Sequence, residues 1–175
     1  MAHHTLSGLR GKRLDLVRYV VLPESPEPEM RPSAGWDEVE YAIELVFDGV
    51  PIAISWQMEN EMECLSVRPQ SAGDVAHYSK IIDLSAHPGW EACVGEELIS
   101  IRVSQYRPAS TQDDCLWALA FIFRNAVSIA VALGELVDDM PSYLPDSLVV
   151  LFGQEAAESY RIDGSPTSAW GDEMA

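Results

Sequence analysis

The sequence predicts an all-β protein, an antiparallel sandwich or partly open barrel of about eight strands with few short helical turns. Three observations indicate this fold. Large apolar residues recur at every second position in several segments, which is the period of a β-strand. Short turn signals separate these segments from one another. The length of 175 residues suits one domain with a full hydrophobic core.

The clearest element is a hairpin between residues 39 and 57. Large apolar side chains alternate with smaller or polar ones on both sides of Asp48-Gly49, a dipeptide preferred in type I′ turns. A two-residue loop at this dipeptide places eight large side chains on one face. The expected pairs are Phe47 with Val50, Leu45 with Ile52, Ile43 with Ile54 and Tyr41 with Trp56. Pro51 lacks an N–H for a neighbouring strand, so we expect a sheet edge or a sheet end beside it.

The longest apolar run, Leu116 to Leu133, is compatible with three structures. Its length suits a membrane span, but Arg124 would then lie near mid-bilayer, which costs roughly 2.5–3.5 kcal/mol. Its alanines suit a buried helix. Its side chains also alternate in size, with large residues at Trp117, Leu119, Phe121, Phe123, Val127, Ile129, Val131 and Leu133. This period of two favours a β-hairpin.

The same pattern predicts the length of the loop in this hairpin. A two-residue loop at Arg124-Asn125 would place the two rows of large side chains on opposite faces. A three-residue loop, Arg124 to Ala126, pairs Phe123 with Val127, so both rows share one face. Such loops place one residue at positive φ, which Asn tolerates. We therefore predict a loop of three residues or another odd length.

The remaining segments continue the succession of strands and turns. Strands are predicted at Arg13–Leu22, within Met58–Val67, at Leu98–Tyr106 and at Ser147–Phe152. Tyr78–Leu84 fits either a short strand or a helical turn. Two stretches, Pro23–Trp36 and Gly134–Pro145, are predicted as connections, because they contain prolines, which lack a donor for a strand ladder. His87 is expected in a loop, and Trp90 is expected to reach the core.

The chain is predicted to have three parts. Residues 1–12 are polar and are expected to be flexible, residues 13–153 to form a single β domain, and residues 154–175 to form a mobile acidic tail. Trp170 is unusual in such a tail. It is expected to dock either on the body of the domain or on a partner.

Cysteine usage predicts a reducing compartment. Cys64, Cys93 and Cys115 are odd in number, far apart and without a CxxC pair, which argues against a disulfide framework or a zinc site. Each is expected to be a buried apolar residue. The N-terminal residues lack an apolar signal core. Together these features predict a cytoplasmic protein.

The chain is strongly acidic, with a net charge of −17 and a pI of about 4.3. Nucleic-acid binding needs a basic face, so this charge argues against it. It is compatible with a basic protein partner, but ordinary solubility is the simpler explanation. The sequence contains no G-x-S-x-G, P-loop, G-x-G-x-x-G, H-E-x-x-H or EF-hand motif. It therefore predicts no catalytic residue, metal ligand or cofactor.

The best candidate for a functional cluster consists of two acidic doublets. Asp113 and Asp114 precede the predicted 116–133 hairpin, and Asp138 and Asp139 follow it. Because the two ends of a hairpin are neighbours, we expect the four carboxylates at one rim of the sheet. They would suit a divalent cation or a basic partner there. Charged sheet ends also prevent edge-to-edge aggregation, and this explanation stays open.

Two functions are compatible with these features. The first is a non-enzymatic protein that presents an acidic surface to a basic partner protein, with inhibition of that partner as one form. The second is a small-ligand or metal-binding β-barrel, including an enzyme without a recognised motif. Its cavity would be lined by aromatic residues, namely Trp36, Trp56, Trp90 and Trp117.

Overall fold

Two antiparallel β-sheets form the body of the protein. The structure, a computed structural model, describes residues 2–25, 35–59, 62–74, 79–107, 114–144 and 146–174. One sheet has five strands and the other has six. The predicted all-β sandwich is therefore confirmed, and within the described residues the sheets do not close into a barrel.

The elements alternate with short connections along the chain. The strands are β1 (Leu14–Val21), β2 (Trp36–Val39), β3 (Ala42–Phe47), β4 (Val50–Glu59), β5 (Met62–Arg68), β6 (Lys80–Asp83), β7 (Leu98–Tyr106), β8 (Cys115–Phe123), β9 (Ser128–Leu133), β10 (Glu135–Val137), β11 (Met140–Ser142), β12 (Leu148–Phe152) and β13 (Asp172–Glu173). Two short helices, α1 (Ala2–Ser7) and α2 (Gln154–Ser159), and a 3-10 turn (Ala72–Asp74) complete the set. The spatial orders are β5-β4-β3-β1-β6 and β13-β7-β8-β9-β12-β2, and β10 and β11 pair separately.

The β3–β4 hairpin has the predicted register. Phe47 pairs with Val50, Leu45 with Ile52 and Ile43 with Ile54. Asp48 and Gly49 both have positive φ, as a type I′ turn requires. The fourth predicted pair does not form, because Tyr41 lies outside the strand and is exposed. β5 ends before it reaches the position opposite Pro51, so this proline lies at a sheet end, as predicted.

Leu116–Leu133 is a hairpin with the predicted three-residue loop. Phe121 pairs with Ile129 and Leu119 with Val131. The residue at positive φ is Ala126, at 66°, and not Asn125. The Asn125 side chain stabilises the loop by donating to the Ala92 carbonyl at 2.7 Å and accepting from the Val127 N–H at 3.1 Å. None of the helices in the described ranges has the length and apolar character needed to cross a membrane.

Of the four tryptophans offered above as a cavity lining, Trp90 and Trp117 pack into the core, and Trp36 and Trp56 pack against it from partly buried positions. Trp90 and Trp117 are fully buried. Trp90 packs edge-on against Tyr19 and Phe152, with ring centroids 6.4 and 5.9 Å apart. Trp117 packs against Tyr160 at 5.8 Å. The large aromatic residues therefore stabilise the sandwich by filling its interior.

Residues 154–174 do not form the mobile acidic tail that the sequence predicts. α2 contacts β9 and β12, and β13 pairs with β7 at the edge of the six-stranded sheet. Five apolar side chains anchor the segment in the core, namely Ala157, Tyr160, Ile162, Ala169 and Met174. Its acidic residues, Glu155, Glu158, Asp163, Asp172 and Glu173, are all exposed. The segment is thus amphipathic, and its acidity reflects only its solvent-facing side.

Small side chains on β8 and β9 explain where this segment packs. Ala118, Ala120, Ala130 and Ala132 are fully buried, although strand alternation places them on the face opposite the large residues. The chain must cross this face to connect α2, which contacts β9 and β12, with β13 beside β7. The alanines therefore allow the segment to approach the sheet closely.

The N-terminal residues also belong to the folded body, in contrast to the predicted flexible segment 1–12. Residues 2–7 form α1, and Leu6 and Leu9 are buried in the core. Arg10 donates to the Met174 carbonyl and lies 3.6 Å from the carboxylate of Glu173. The two leucines lie within a mostly polar stretch of sequence. They supply the apolar contacts that hold the N-terminus in place.

Cys64 and Cys115 form a disulfide, which corrects the expectation that all three cysteines are separate thiols. Their Cα atoms are 5.4 Å apart, and the bond joins β5 of one sheet to β8 of the other. The two positions are 51 residues apart, so no local spacing marks the pair. Disulfides persist in oxidising compartments. The cytoplasmic location predicted from cysteine usage therefore loses that support.

Candidate functional site

Of the first predicted acidic doublet, the structure describes Asp114, which directly precedes β8. Asp114 is exposed and accepts two hydrogen bonds from Arg107, at 2.9 Å from Nε and 3.0 Å from Nη2. Asp113 lies outside the described residues. Because the Arg107 guanidinium balances the charge of Asp114, this carboxylate has less net charge to offer a basic partner.

The second doublet forms the tip of the β10–β11 hairpin, in a segment that was predicted as a connection. Val137 pairs with Met140, which leaves Asp138 and Asp139 as a two-residue loop. Their φ angles are 51° and 62°, so the loop is a type I′ turn. Asp tolerates this conformation less well than Asn or Gly. The sequence did not predict this hairpin, because its strands are short and one contains Pro141.

Two hydrogen bonds fix this hairpin against β2. The indole N–H of Trp36 donates to the backbone carbonyl of Asp139 at 2.9 Å. The backbone N–H of Leu136 donates to the carboxylate of Glu38 at 3.0 Å. One bond holds the tip and the other holds the base, so the hairpin is presented in a defined orientation.

Exposed apolar side chains are concentrated on this hairpin and just after it. Among the described residues ten large hydrophobic side chains are exposed, and four of them fall within 137–144. Their exposed fractions range from 39% to 56%. Contiguous exposed apolar surface on a soluble protein marks an interaction site. We call this surface the hairpin patch, defined by Val137, Asp138, Asp139, Met140, Tyr143 and Leu144.

Asp114 and the second doublet lie toward the same end of the six-stranded sheet. Asp114 directly precedes β8, and the hairpin patch follows β9, whose end is next to the start of β8. The hydroxyl groups of Tyr106 and Tyr143 are 3.5 Å apart, which connects the end of β7 with the patch. No group of three or more His, Cys, Asp or Glu among the described residues is arranged to hold a metal ion.

A second site was not predicted from the sequence. It is a half-open cavity of about 700 Å³. Its exposed rim includes Ile99, Arg124 and Gln154, its walls include Ile122, Phe152 and Trp170, and its most buried lining side chains are His87 and Ser128. We call it the His87 pocket. Trp170, which was predicted to lie in an acidic tail, is held here beneath the guanidinium of Arg102. The Cζ atom of Arg102 lies 5.3 Å from the centroid of the Trp170 ring.

His87 connects this pocket to a buried polar cluster. The Tyr19 hydroxyl donates to Asp37 at 2.9 Å and accepts from the Trp90 indole N–H at 2.6 Å. The Nε2 atom of His87 lies 4.0 Å from the same Asp37 oxygen. A strand from each sheet and the turn after β6 therefore meet at one point, directly behind the pocket.

The hydrogen bonds of His87 define which ring nitrogen carries the proton in the neutral form. The backbone N–H of Gly89 donates to Nδ1 at 3.2 Å, so the proton is on Nε2. Nε2 is buried without a hydrogen-bond partner among the described residues. Phe152 stacks on the ring, with centroids 6.0 Å apart. A buried N–H without an acceptor costs about 1–3 kcal/mol.

Burial controls the acidity of the other two members of the cluster. It raises the pKa of Asp37 above its ordinary value, against the opposing effects of His87 and of the Tyr19 hydrogen bond. Burial, together with the charge of Asp37, raises the pKa of Tyr19 well above its ordinary value. Tyr19 therefore keeps its proton at neutral pH and remains a donor to Asp37.

The third cysteine offers no activated nucleophile beside this cluster. Cys93 is buried and free. Burial, with the nearby charge of Glu96, raises the pKa of its thiol to about 12. Since the thiolate is the reactive species, Cys93 is a packing residue at neutral pH.

Sequence reasoning could not find the polar cluster behind the His87 pocket, because its members come from distant positions. Tyr19, Asp37 and His87 belong to two strands and a turn that only the sandwich brings together. The one local signal, His87-Pro88-Gly89, predicts a turn and no chemistry.

No family model, curated protein or solved structure matches the chain.

Proposed function

We propose that the protein is a non-enzymatic acidic interaction protein that binds a basic partner protein through the hairpin patch. The observation that carries this proposal is the coincidence of an acidic tip with exposed apolar side chains on one hairpin. By covering the basic surface of its partner, the protein would act as an inhibitor of that partner.

Charge supports the choice of a basic partner. The net charge of −17 attracts a cationic protein over long range and speeds the encounter. Asp138 and Asp139 are both exposed at the tip of the hairpin. They are therefore placed to meet lysine or arginine side chains at short range.

Apolar surface and preorganisation support a docking role for the same hairpin. Met140, Tyr143 and Leu144 lose water contact when a partner covers them, which contributes about 25 cal/mol per Å² of buried apolar area. The hydrogen bonds from Trp36 and to Glu38 already hold the hairpin in place. Binding therefore requires little further ordering of this segment.

The proposal is tested by removing the tip charges while keeping the turn. The variant Asp138→Asn with Asp139→Asn retains residues that tolerate positive φ and lowers the negative charge at the tip. Its matched control is Asp163→Asn with Asp172→Asn, the same charge change at exposed positions outside the patch. A third variant, Met140→Ser, removes apolar surface and leaves the charge unchanged.

The readout is retention of proteins from native lysate at low and at high salt. We expect the wild-type chain to retain a basic protein at low salt, the tip variant to lose it, Met140→Ser to weaken it and the control to keep it. Failure to retain any basic protein would contradict the proposal. So would equal loss of the retained protein from the tip variant and from the control.

A further inference from the structure

We propose that the His87 pocket binds a small molecule with a flat apolar body and one carboxylate. This site is distinct from the hairpin patch, so its ligand does not depend on the proposed protein partner. Two features carry the inference: the size and walls of the cavity, and the charge of its lining.

The dimensions and walls fit a small, flat ligand. The volume of about 700 Å³ lies within the range of about 300–1,000 Å³ that is typical of small-molecule sites. The rings of Phe152 and Trp170 and the side chain of Ile122 provide apolar walls. The Phe152 ring packs directly on the backbone of Gly89, where a Cβ atom would collide with it.

The charge of the lining differs from that of the rest of the chain. The lining includes Arg124 and His87 but no Asp or Glu, although the sequence has 28 acidic and 11 basic residues. Because no carboxylate among the described residues lines the cavity, the lining itself places no like charge against an anion. An anionic ligand is the class that this contrast favours.

Arg124 supplies the contact for the carboxylate. Its Nε and Nη2 atoms donate to Glu97 at 3.2 and 2.6 Å. Nη1 has no hydrogen-bond or ion-pair partner among the described residues. The ion pair with Glu97 holds the guanidinium at the rim, where a ligand carboxylate can share it or displace Glu97.

The buried part of the pocket sets the orientation of the ligand. Nε2 of His87 has a proton and no acceptor, and the side chain is only 4% exposed. A carboxylate placed there would approach the acidic Asp37, which lies 4.0 Å from Nε2. The carboxylate therefore belongs at Arg124, with the apolar body between the aromatic walls.

The test uses naphthoate and its uncharged analogue naphthamide as probes, with affinity measured by isothermal titration calorimetry. We expect naphthoate to bind at one site and about tenfold more tightly than naphthamide, a difference of about 1.4 kcal/mol. Arg124→Gln should abolish this preference. Glu97→Gln should strengthen naphthoate binding, because it frees the Arg124 guanidinium from its present partner.

A matched pair of charge insertions locates the binding site. Ile99 at the rim and Ile81 on β6 of the other sheet are both 45% exposed, so either position tolerates a charged side chain. Ile99→Glu should weaken naphthoate binding about tenfold or more, since it adds a carboxylate to the rim. Ile81→Glu should leave it unchanged. Circular dichroism confirms that each variant is folded.

Three results would overturn the proposal. The first is the absence of saturable naphthoate binding to the wild-type chain at about 1 mM, the limit of weak specific affinity. The second is equal affinity for naphthoate and naphthamide. The third is binding that responds equally to Ile99→Glu and Ile81→Glu, which would place the ligand elsewhere.

Discussion

The Tyr19 hydroxyl of β1 donates to the Asp37 carboxylate of β2 across 2.9 Å, and this bond joins the five-stranded sheet to the six-stranded sheet. The same hydroxyl accepts a hydrogen bond from the indole N–H of Trp90. It is therefore a donor to one buried group and an acceptor from another. Most other contacts between the sheets are apolar and non-directional. This bond therefore contributes to how the sheets are aligned, and it lies directly behind the His87 pocket.

Tyr19→Phe should lower the free energy of unfolding by about 1–3 kcal/mol, because it leaves the buried Trp90 N–H without its acceptor. Asp37 loses a donor at the same time. Urea unfolding followed by tryptophan fluorescence measures the change. The control is Tyr143→Phe, an exposed tyrosine whose hydroxyl has a 3.5 Å contact with Tyr106, and it should change stability by less than about 0.5 kcal/mol. Equal effects of the two substitutions would show that the buried hydroxyl does not stabilise the fold.

Asp37→Asn should make stability less sensitive to rising pH. The raised pKa of Asp37 means that the folded state binds the proton more tightly than the unfolded state. Its contribution is complete below the unfolded pKa of 3.8, and it is lost as pH rises through the folded pKa. The stability of the wild-type chain relative to Asp37→Asn should therefore fall as pH rises from that value toward neutrality. Thermal unfolding of both proteins across this range is the measurement.

Asp83→Asn provides a comparison with the opposite sign. Hydrogen bonds from Ser85 lower the pKa of Asp83 below 3.8. In one of them the backbone N–H of Ser85 donates to the Asp83 carboxylate at 2.9 Å. The contribution of Asp83 is therefore present above the unfolded pKa and is lost as pH falls through the folded pKa. The stability of the wild-type chain relative to Asp83→Asn should therefore fall as pH is lowered. Parallel pH profiles for Asp37→Asn and Asp83→Asn would contradict the burial argument for Asp37.

Reduction of the Cys64–Cys115 disulfide should destabilise the protein without changing any side chain outside the bond. The cross-linked positions are 51 residues apart, and the loss of chain-entropy stabilisation for a loop of that length is about 4 kcal/mol. Urea unfolding of the oxidised and the reduced protein measures the difference. Thiol titration in denaturant should detect only Cys93 before reduction. Three reactive thiols at that stage would show that the bond is not formed.

Gly171→Ala should destabilise the protein more than Gly164→Ala does. Both glycines have positive φ, so each substitution carries a backbone cost of about 1–3 kcal/mol. A Cβ at Gly171 also collides with the Val103 carbonyl on β7, whereas nothing lies within 4 Å of a Cβ at Gly164. Thermal unfolding compares the two variants. Identical melting temperatures would argue that residues 154–174 are not docked on the sheet.

Both main hairpins could be predicted in detail, because their information is local. Size alternation and Asp48-Gly49 specify the register of β3–β4, and shared faces specify the odd loop between β8 and β9. The exact conformation of that loop was not predictable. Asn125 was expected to take the positive φ, but its side chain is engaged with Ala92 of another segment, and Ala126 adopts it.

The candidate sites were only partly predictable, for a different reason. Acidic doublets can be found by inspection, and Asp138 and Asp139 do occupy an exposed tip. The apolar half of the hairpin patch has no such signature, since exposed and buried methionine or tyrosine look alike in a sequence. The acidic composition also led to the wrong prediction of a mobile tail, because residues 154–174 contain buried positions such as Tyr160 and Ala169.

The sequence by itself determined the fold class, the two hairpin registers and the acidic character, because each depends on residues close together in the chain. Only the tertiary structure decided that Cys64 meets Cys115, that Asp37 meets Tyr19 and that the C-terminal segment packs on a sheet. These contacts join positions whose separation carries no pattern. They form because two sheets and their covering segment must bury their apolar faces together, and that requirement belongs to the whole chain.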